Sequence, residues 1–170
     1  MTERSIDGFV VGVTADRRAD EQIELLARRG AEALHGPVIR TLPFSPDERL
    51  RDATVSLVET PADVVVANTG IGMRGWFSAA ESWGLEDALL RSLTSGRVAC
   101  RGPKAAGAVG AAGIDVWWRA PGEELDEIVE HLLAVGVSGL RVAVQLDGGH
   151  RAGNALERLA AGGAEVVPVP

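Results

Sequence analysis

The run Val64-Val65-Val66-Ala67, followed at once by Asn68-Thr69-Gly70-Ile71-Gly72, constrains this chain more than any other stretch. Four apolar residues without alternation read as a strand buried on both faces. The Thr-Gly-x-Gly that follows reads as the start of a helix. A second such turn, Arg101-Gly102-Pro103-Lys104, follows Val98-Ala99-Cys100, and a third, Asp147-Gly148-Gly149-His150, follows Leu140–Gln145. Strands of this kind, alternating with helices, call for a parallel sheet covered on both sides. In such sheets ligands sit where strands end and helices begin, because the first N–H groups of a helix lack internal partners.

The remaining segments extend the pattern. Phe9–Thr14 reads as a strand, Asp16–Arg29 as a helix stopped by Gly30, and Val38–Leu42 as a second strand. Pro43 and Pro46 mark a break, and Ser45 caps a helix that runs to Glu59. Beyond Pro61 the expected strands are Asp63–Ala67, Arg97–Cys100, Ile114–Trp118, Leu140–Gln145 and Ala164–Val169. Expected helices between them include one with Met73, Trp76, Phe77 and Ala80 on its buried face, then Leu85–Leu93 and Pro103–Ala112. A later helix carries the stripe Leu125, Ile128, Val129, Leu132 and Leu133, and the last is Asn154–Ala161. The expected fold is α/β: a complete, flavodoxin-like, doubly wound parallel five-stranded sheet in residues 45–170, with an incomplete second α/β lobe (βαβ) in residues 1–44. Two strands and one helix leave an apolar sheet face uncovered, so self-association through the incomplete lobe is expected.

Composition narrows the function. With 46% hydrophobic and 24% charged residues the chain can bury a core. A net charge of −7 argues against direct nucleic-acid binding. No apolar run approaches the ~20 residues that span a bilayer, and Met1–Asp7 has no signal-peptide core, so a cytoplasmic protein with no membrane partner is expected. The single cysteine, Cys100, lies in a strand and reads as a small buried hydrophobe; it excludes an intrachain disulfide and a cysteine zinc cluster. His35, His131 and His150 are scattered, with no metal-ligand spacing. Gly70-x-Gly72 is half a dinucleotide fingerprint and Gly75 falls at the offset of its third glycine, but the next strand ends at Cys100-Arg101, too late and without the required acid. There is no nucleophile elbow and no phosphate-loop lysine followed by a hydroxyl, and no cofactor is called for. What remains is backbone N–H groups flanked by Thr69, Arg74, Arg101 and Lys104, the one lysine among 17 basic residues. His150, after Gly149, can face the same cleft. Such turns suit a carboxylate-rich or phosphate-bearing small molecule. The same glycines can equally serve only tight turns and close helix packing.

Taken in order, these features resemble the uroporphyrinogen-III synthase family over nearly the whole chain. The strand Val10–Thr14 with its helix ending Arg29-Gly30-Ala31, and the strand Val38–Leu42, are similar to the family's opening. Asp63–Ala67 with Thr69 resembles its Asp…Thr-Ser turn, and Arg101-Gly102-Pro103-Lys104 its Gly-Pro-x-Thr turn. Gly139-Leu140-Arg141-Val142 and Gly163-Ala164-Glu165-Val166 resemble two later strand entries. The resemblance implies two α/β domains, the chain leaving the first to build the second and then returning, with Pro170 near the return; a 170-residue form would then be inactive alone. It implies cyclisation of the linear tetrapyrrole hydroxymethylbilane to uroporphyrinogen III, with loss of water and inversion of the last ring, by positioning more than by side-chain chemistry. The candidate substrate contacts are Thr14, Thr69, Gly70, Ile71, Gly72, Arg74, Arg101, Gly102, Pro103, Lys104, Gly149 and His150. The family threonine of the second turn is Ala105 here, and the Thr-Arg-Pro after the first strand is Thr14-Ala15-Asp16. The stretch Thr69–Trp76 is similar to synthase-like modules fused to winged-helix DNA-binding domains, so a ligand-sensing module of a transcriptional regulator, without turnover, is the alternative.

Overall fold

The computed structural model describes residues 6–16, 18–38, 47–147 and 150–170, with the backbone alone at 150–152. The chain falls into two compact units, Met1–Pro43 and Phe44–Pro170.

The smaller unit contains β1 (Val10–Val13), α1 (Ala19–Arg28) and β2 (Glu32–His35). The two strands pair in parallel, Val10 with Glu32 through Val13 with His35. α1 ends in a Schellman motif: Gly30, at φ +90°, donates to the Ala27 carbonyl, and Ala31 donates to that of Leu26. The motif reverses the chain within two residues, so β2 starts at Glu32. The strand paired with β1 is thus Glu32–His35 and not the expected Val38–Leu42. Val38 is 76% exposed and outside the ladder, and residues 39–42 lie outside the described residues. His35, expected ahead of a strand, lies within β2, and its Nε2 is 2.9 Å from the Ala15 carbonyl oxygen.

The larger unit runs α2 (Glu48–Glu59), β3 (Val64–Ala67), α3 (Gly70–Ser82), α4 (Glu86–Ser95), β4 (Arg97–Cys100), α5 (Pro103–Ala111), β5 (Val116–Arg119), α6 (Leu125–Val135), β6 (Arg141–Gln145), α7 (His150–Ala161) and β7 (Glu165–Val169). Its five strands are parallel, in the order β5-β4-β3-β6-β7. The doubly wound five-stranded sheet is as expected from the sequence. Its order, 3-2-1-4-5 along the unit, differs from the flavodoxin-like 2-1-3-4-5. The chain begins at central β3, winds out to β5, and crosses back to build β6 and β7 on the other side. The switch in direction therefore falls between β3 and β6.

Both sheet faces are packed. Val65, Ala67, Val98, Cys100 and Ala143 meet α2 to α5 through Leu50, Leu57, Met73, Trp76, Leu89 and Val109. Val64, Val66, Ala99, Val142 and Val144 meet α6 and α7 through Leu125, Ile128, Leu132 and Leu159. This two-sided burial is why the strands read as unbroken apolar runs. Two buried polar groups of the core are paired with each other: Trp76 Nε1 donates to Thr54 Oγ1 at 2.8 Å, and that hydroxyl donates to the Leu50 carbonyl at 2.6 Å. Asn68 Nδ2, His131 Nε2 and Arg141 Nε, in contrast, are buried without a partner among the described residues.

Three boundaries and one buried position differ from the expectation. Asp47 caps α2 by accepting from the Arg49 amide, in place of the expected Ser45, which lies outside the described residues. β5 starts two residues later than expected and carries a bulge opposite Val98 and Ala99. The bulge lets two consecutive residues, Trp117 and Trp118, both reach His131, with ring centroids 5.2 and 4.3 Å away. Leu133, expected in the buried stripe of α6, is 36% exposed. α7 starts at His150 rather than Asn154.

Candidate functional site

The carboxyl ends of β3, β4 and β6 meet at the direction switch, and three turns leave from them. Thr69 has extended dihedrals (φ −133°, ψ 142°) and is the N-cap of α3, its Oγ1 accepting from the Gly72 amide at 3.0 Å. Gly102 is the N-cap of α5, and Pro103 takes the first helical position, where no N–H is needed. The two helix starts are in contact. A Cβ on Gly70 would overlap the Lys104 carbonyl oxygen and lie 3.3 Å from the Ala105 nitrogen. A Cβ on Gly72 would overlap the Gln145 Nε2. Close packing therefore requires both glycines, and this same packing brings the two turns together.

Polar side chains tie the turns to one another. Arg101 donates from Nη1 to Asn68 Oδ1 at 2.9 Å and lies 3.7 Å from Asp147 Oδ2, so one guanidinium links the turns after β3, β4 and β6. Gln145 Oε1 accepts from the amides of Asn68 (3.2 Å) and Thr69 (2.8 Å). The amides of Gly70, Ile71, Lys104 and Ala105 form no hydrogen bond among the described residues. These are first-turn donors of two helices that start side by side.

Charge placement separates these helices from the rest. α1, α2, α4 and α6 carry acids in the first turn: Asp20 and Glu21, Glu48, Glu86 and Asp87, Asp126 and Glu127. α3, α5 and α7, the helices that leave β3, β4 and β6, carry none. An acid in the first turn neutralises the positive end of the helix dipole, and the three helices at the switch keep that end available to an outside anion. Two carboxylates lie beside these turns: Asp147, whose Oδ2 is 3.7 Å from Arg101 Nη1, and Glu123, at φ +60°, whose Oε2 is 3.0 Å from where a Gly102 Cβ would lie.

The structure gathers Thr69, Gly70, Ile71, Gly72, Arg101, Gly102, Pro103 and Lys104 at one sheet edge. Ile71 and Lys104 are exposed there, and Arg74 is exposed one turn along α3. Thr14 belongs to the smaller unit. Gly149 lies outside the described residues, and His150 is the first residue of α7, described by its backbone alone. Asn68, Gln145 and Asp147 belong to the site and were not among the expected contacts. The glycine at 72, which only a close neighbour explains, is the one hint of Gln145 in the sequence. Cys100, at the end of β4, is fully buried, and burial pushes its thiol up to about 11. A surface cavity lined by Pro61, Asp63, Ser95, Arg97 and Leu140 lies at the opposite, amino-terminal edge of the sheet, away from the turns.

Fold and turns together define a class: a doubly wound parallel α/β unit whose switch-point helices start on unpaired amides without acids. Within that class, the chain belongs to the uroporphyrinogen-III synthase family, whose model, described as Uroporphyrinogen-III synthase HemD, matches residues 20–170. It is 28% identical over 165 residues to the uncharacterized protein YjjA of Bacillus subtilis (strain 168), covering 95% of this chain and 59% of that protein. Among solved structures it is similar to a mutant uroporphyrinogen III synthase from the extremely thermophilic bacterium Thermus thermophilus, at 28% identity and a TM-score of 0.71, covering 95% of this chain and 60% of that one. The wild-type enzyme from the same source gives a TM-score of 0.61 at 28% identity, with the same coverage. The chain thus spans about 60% of the length of these relatives. Among the described residues, no helix is long and apolar enough to cross a membrane.

Proposed function

We propose that the paired starts of α3 and α5 hold carboxylates of a linear tetrapyrrole, and that the protein acts in the cyclisation of hydroxymethylbilane to uroporphyrinogen III. The observation that carries this reading is the contact between two helix starts that have free amides and no acidic residue in the first turn. A flexible substrate covered in carboxylates is held by many such donors at once. Each donor acts without titrating, so the grip does not depend on a particular protonated side chain. The chemistry asked of the protein is positioning of the last ring and exclusion of water during loss of the hydroxyl. Exposed Arg74 and Lys104 lie where outlying carboxylates would reach them. On this reading residues 45–170 form one complete lobe, and residues 1–44, with Thr14, belong to another.

Ala105 favours a second reading. It is 1% exposed and stands where the resemblance expects a threonine, so that hydroxyl is missing from the α5 turn. A module that binds the ligand without converting it, as in a regulator, fits that loss. Two measurements separate the readings. The first is binding of uroporphyrin I, a stable tetrapyrrole polycarboxylate, to residues 1–170. The second is chromatography of the isomers formed when the full chain encoded by the gene meets freshly generated hydroxymethylbilane. Binding with the type III isomer is the expected result. Binding with only the spontaneous type I isomer leaves the sensing module, and absence of both overturns the two readings together.

A further inference from the structure

The crevice between β3 and β6 is where a doubly wound sheet usually receives its ligand. Here it is occupied by the chain itself. Gln145, the last residue of β6, is 3% exposed and extends across to the turn after β3. Burying a carboxamide is costly unless its groups are paired. Both of its polar atoms are engaged: Oε1 accepts from Asn68 N at 3.2 Å and Thr69 N at 2.8 Å, and Nε2 donates one N–H to the Leu146 carbonyl at 2.5 Å. The flipped amide would set an NH₂ group against two N–H donors, so this orientation alone satisfies the network.

Gln145 also decides which amides remain for a ligand. By holding Asn68 and Thr69 it keeps Thr69 extended, and in that conformation Thr69 Oγ1 takes the Gly72 amide. The donors of residues 68, 69 and 72 are thereby paired, and those of 70 and 71 are left. Gly72 supports the arrangement, since a Cβ there would overlap Nε2 and come within 2.8 Å of Thr69 Oγ1. The neutrality of the side chain matters as much as its reach. A glutamate would keep acceptors for the two amides but lose the donor to the Leu146 carbonyl and place a negative charge directly under a site meant for anions. A methionine would leave the Asn68 and Thr69 N–H groups without their acceptor.

We infer that Gln145 is the positioning residue of the α3 anion site: it shapes the turn by accepting two amides, and it does so without adding charge. The inference rests on the polycarboxylate reading above. Its test has two arms, applied to residues 1–170 as wild type, Gln145→Met, Gln145→Glu and Gln22→Glu, the last adding the same charge on exposed α1. Amide hydrogen exchange reads the hold on the turn. Exchange at Asn68 and Thr69 is expected to accelerate at least about 100-fold in Gln145→Met, with Leu132 unchanged. Fluorescence titration with uroporphyrin I reads the service to the site. Gln145→Glu loses the bond to the Leu146 carbonyl and buries a charge, so its melting temperature is expected to fall. Titrated well below that melt, where Leu132 exchange reports it folded, it is expected to bind at least about tenfold more weakly, with Gln22→Glu binding as wild type.

Unchanged exchange at Asn68 and Thr69 overturns the inference. So does wild-type affinity in Gln145→Glu, or an equal loss in Gln22→Glu, which would reduce the effect to overall charge. Failure of the wild-type chain to bind uroporphyrin I overturns the polycarboxylate reading itself and the inference with it. The exchange arm still distinguishes that case, because it reports the hold of Gln145 on the turn without any ligand.

Discussion

The two units use the same βα repeat and bury very different amounts of it. In the larger unit, Val64–Ala67, Val98–Cys100 and Val142–Val144 are at most 2% exposed. In the smaller unit, Phe9, Val10 and Leu34 are 64%, 60% and 57% exposed, and only Val13, Ala19 and Ala31 are buried apolar residues among those described. The difference follows from the number of faces to be covered. Two strands and one helix cover one face of a sheet, whereas five strands with helices on both sides cover two. A βα repeat therefore becomes a rigid platform only when each face has a partner. The candidate site sits on the unit that has achieved this, where turn geometry is set by packed neighbours.

The sharpest way to break this comparison is to make the same deletion in both units. Leu132→Ala, at a fully buried position of α6, is expected to cost about 2–5 kcal/mol in urea unfolding. Leu34→Ala, on the open ribbon, is expected to cost less than about 0.5 kcal/mol. Equal losses would show that the smaller unit has a core after all. The open face is also expected to promote concentration-dependent association. Light scattering should report it, and Leu34→Glu should reduce it without loss of stability.

A pair of glycine substitutions sharpens the contrast at the next level. Gly70→Ala drives a Cβ into the Lys104 carbonyl, should cost about 1–3 kcal/mol, and should separate the two helix starts proposed to hold the anion. Gly12→Ala in β1 meets nothing within 4 Å and should be neutral or slightly stabilising. Thermal melts of the two variants decide the matter. Caps give a smaller difference. Thr69→Ala should cost about 1 kcal/mol and Thr69→Ser much less, because α3 has a hydroxyl cap. α1, whose N-cap is Arg18, has no side-chain hydrogen bond to lose at that position.

A last contrast is in pH. Burial raises the Cys100 thiol to about 11, so the folded chain keeps a proton that the unfolded chain releases from about pH 8.5. The contribution is complete below the unfolded value and is lost as pH climbs through the folded one. Unfolding midpoints should decline between about pH 9 and 11, and less so in Cys100→Ala. In the folded protein at neutral pH the thiol should resist DTNB.

Much of the larger unit is legible in the sequence because its signals are strong. A strand buried on both faces shows as Val64-Val65-Val66-Ala67, and Gly70 and Pro103 mark helix starts. The smaller unit reads less well. Glu32-Ala33-Leu34-His35 is half polar because its ribbon is half exposed, so Val38-Ile39 gives the stronger strand signal although the Schellman turn at Gly30 has already started β2. The candidate site was legible as glycines and cations next to strand ends. Its wiring was not. Gln145 and Asp147 stand 77 and 79 positions from Asn68, and a single glutamine at a strand end has no local signature of what it will meet. The asymmetry of first-turn acids was also present in the sequence, but it becomes meaningful only once the topology shows which helices leave the switch.

The most direct measurement is an amide ¹H–¹⁵N titration of residues 1–170 with uroporphyrin I. The account predicts that Gly70, Ile71, Lys104 and Ala105 shift together with one dissociation constant, while the acid-bearing helix starts at Glu86–Asp87 and Asp126–Glu127 stay still. Shifts centred on those acidic starts, or saturation that leaves Gly70 and Lys104 unmoved, would contradict it.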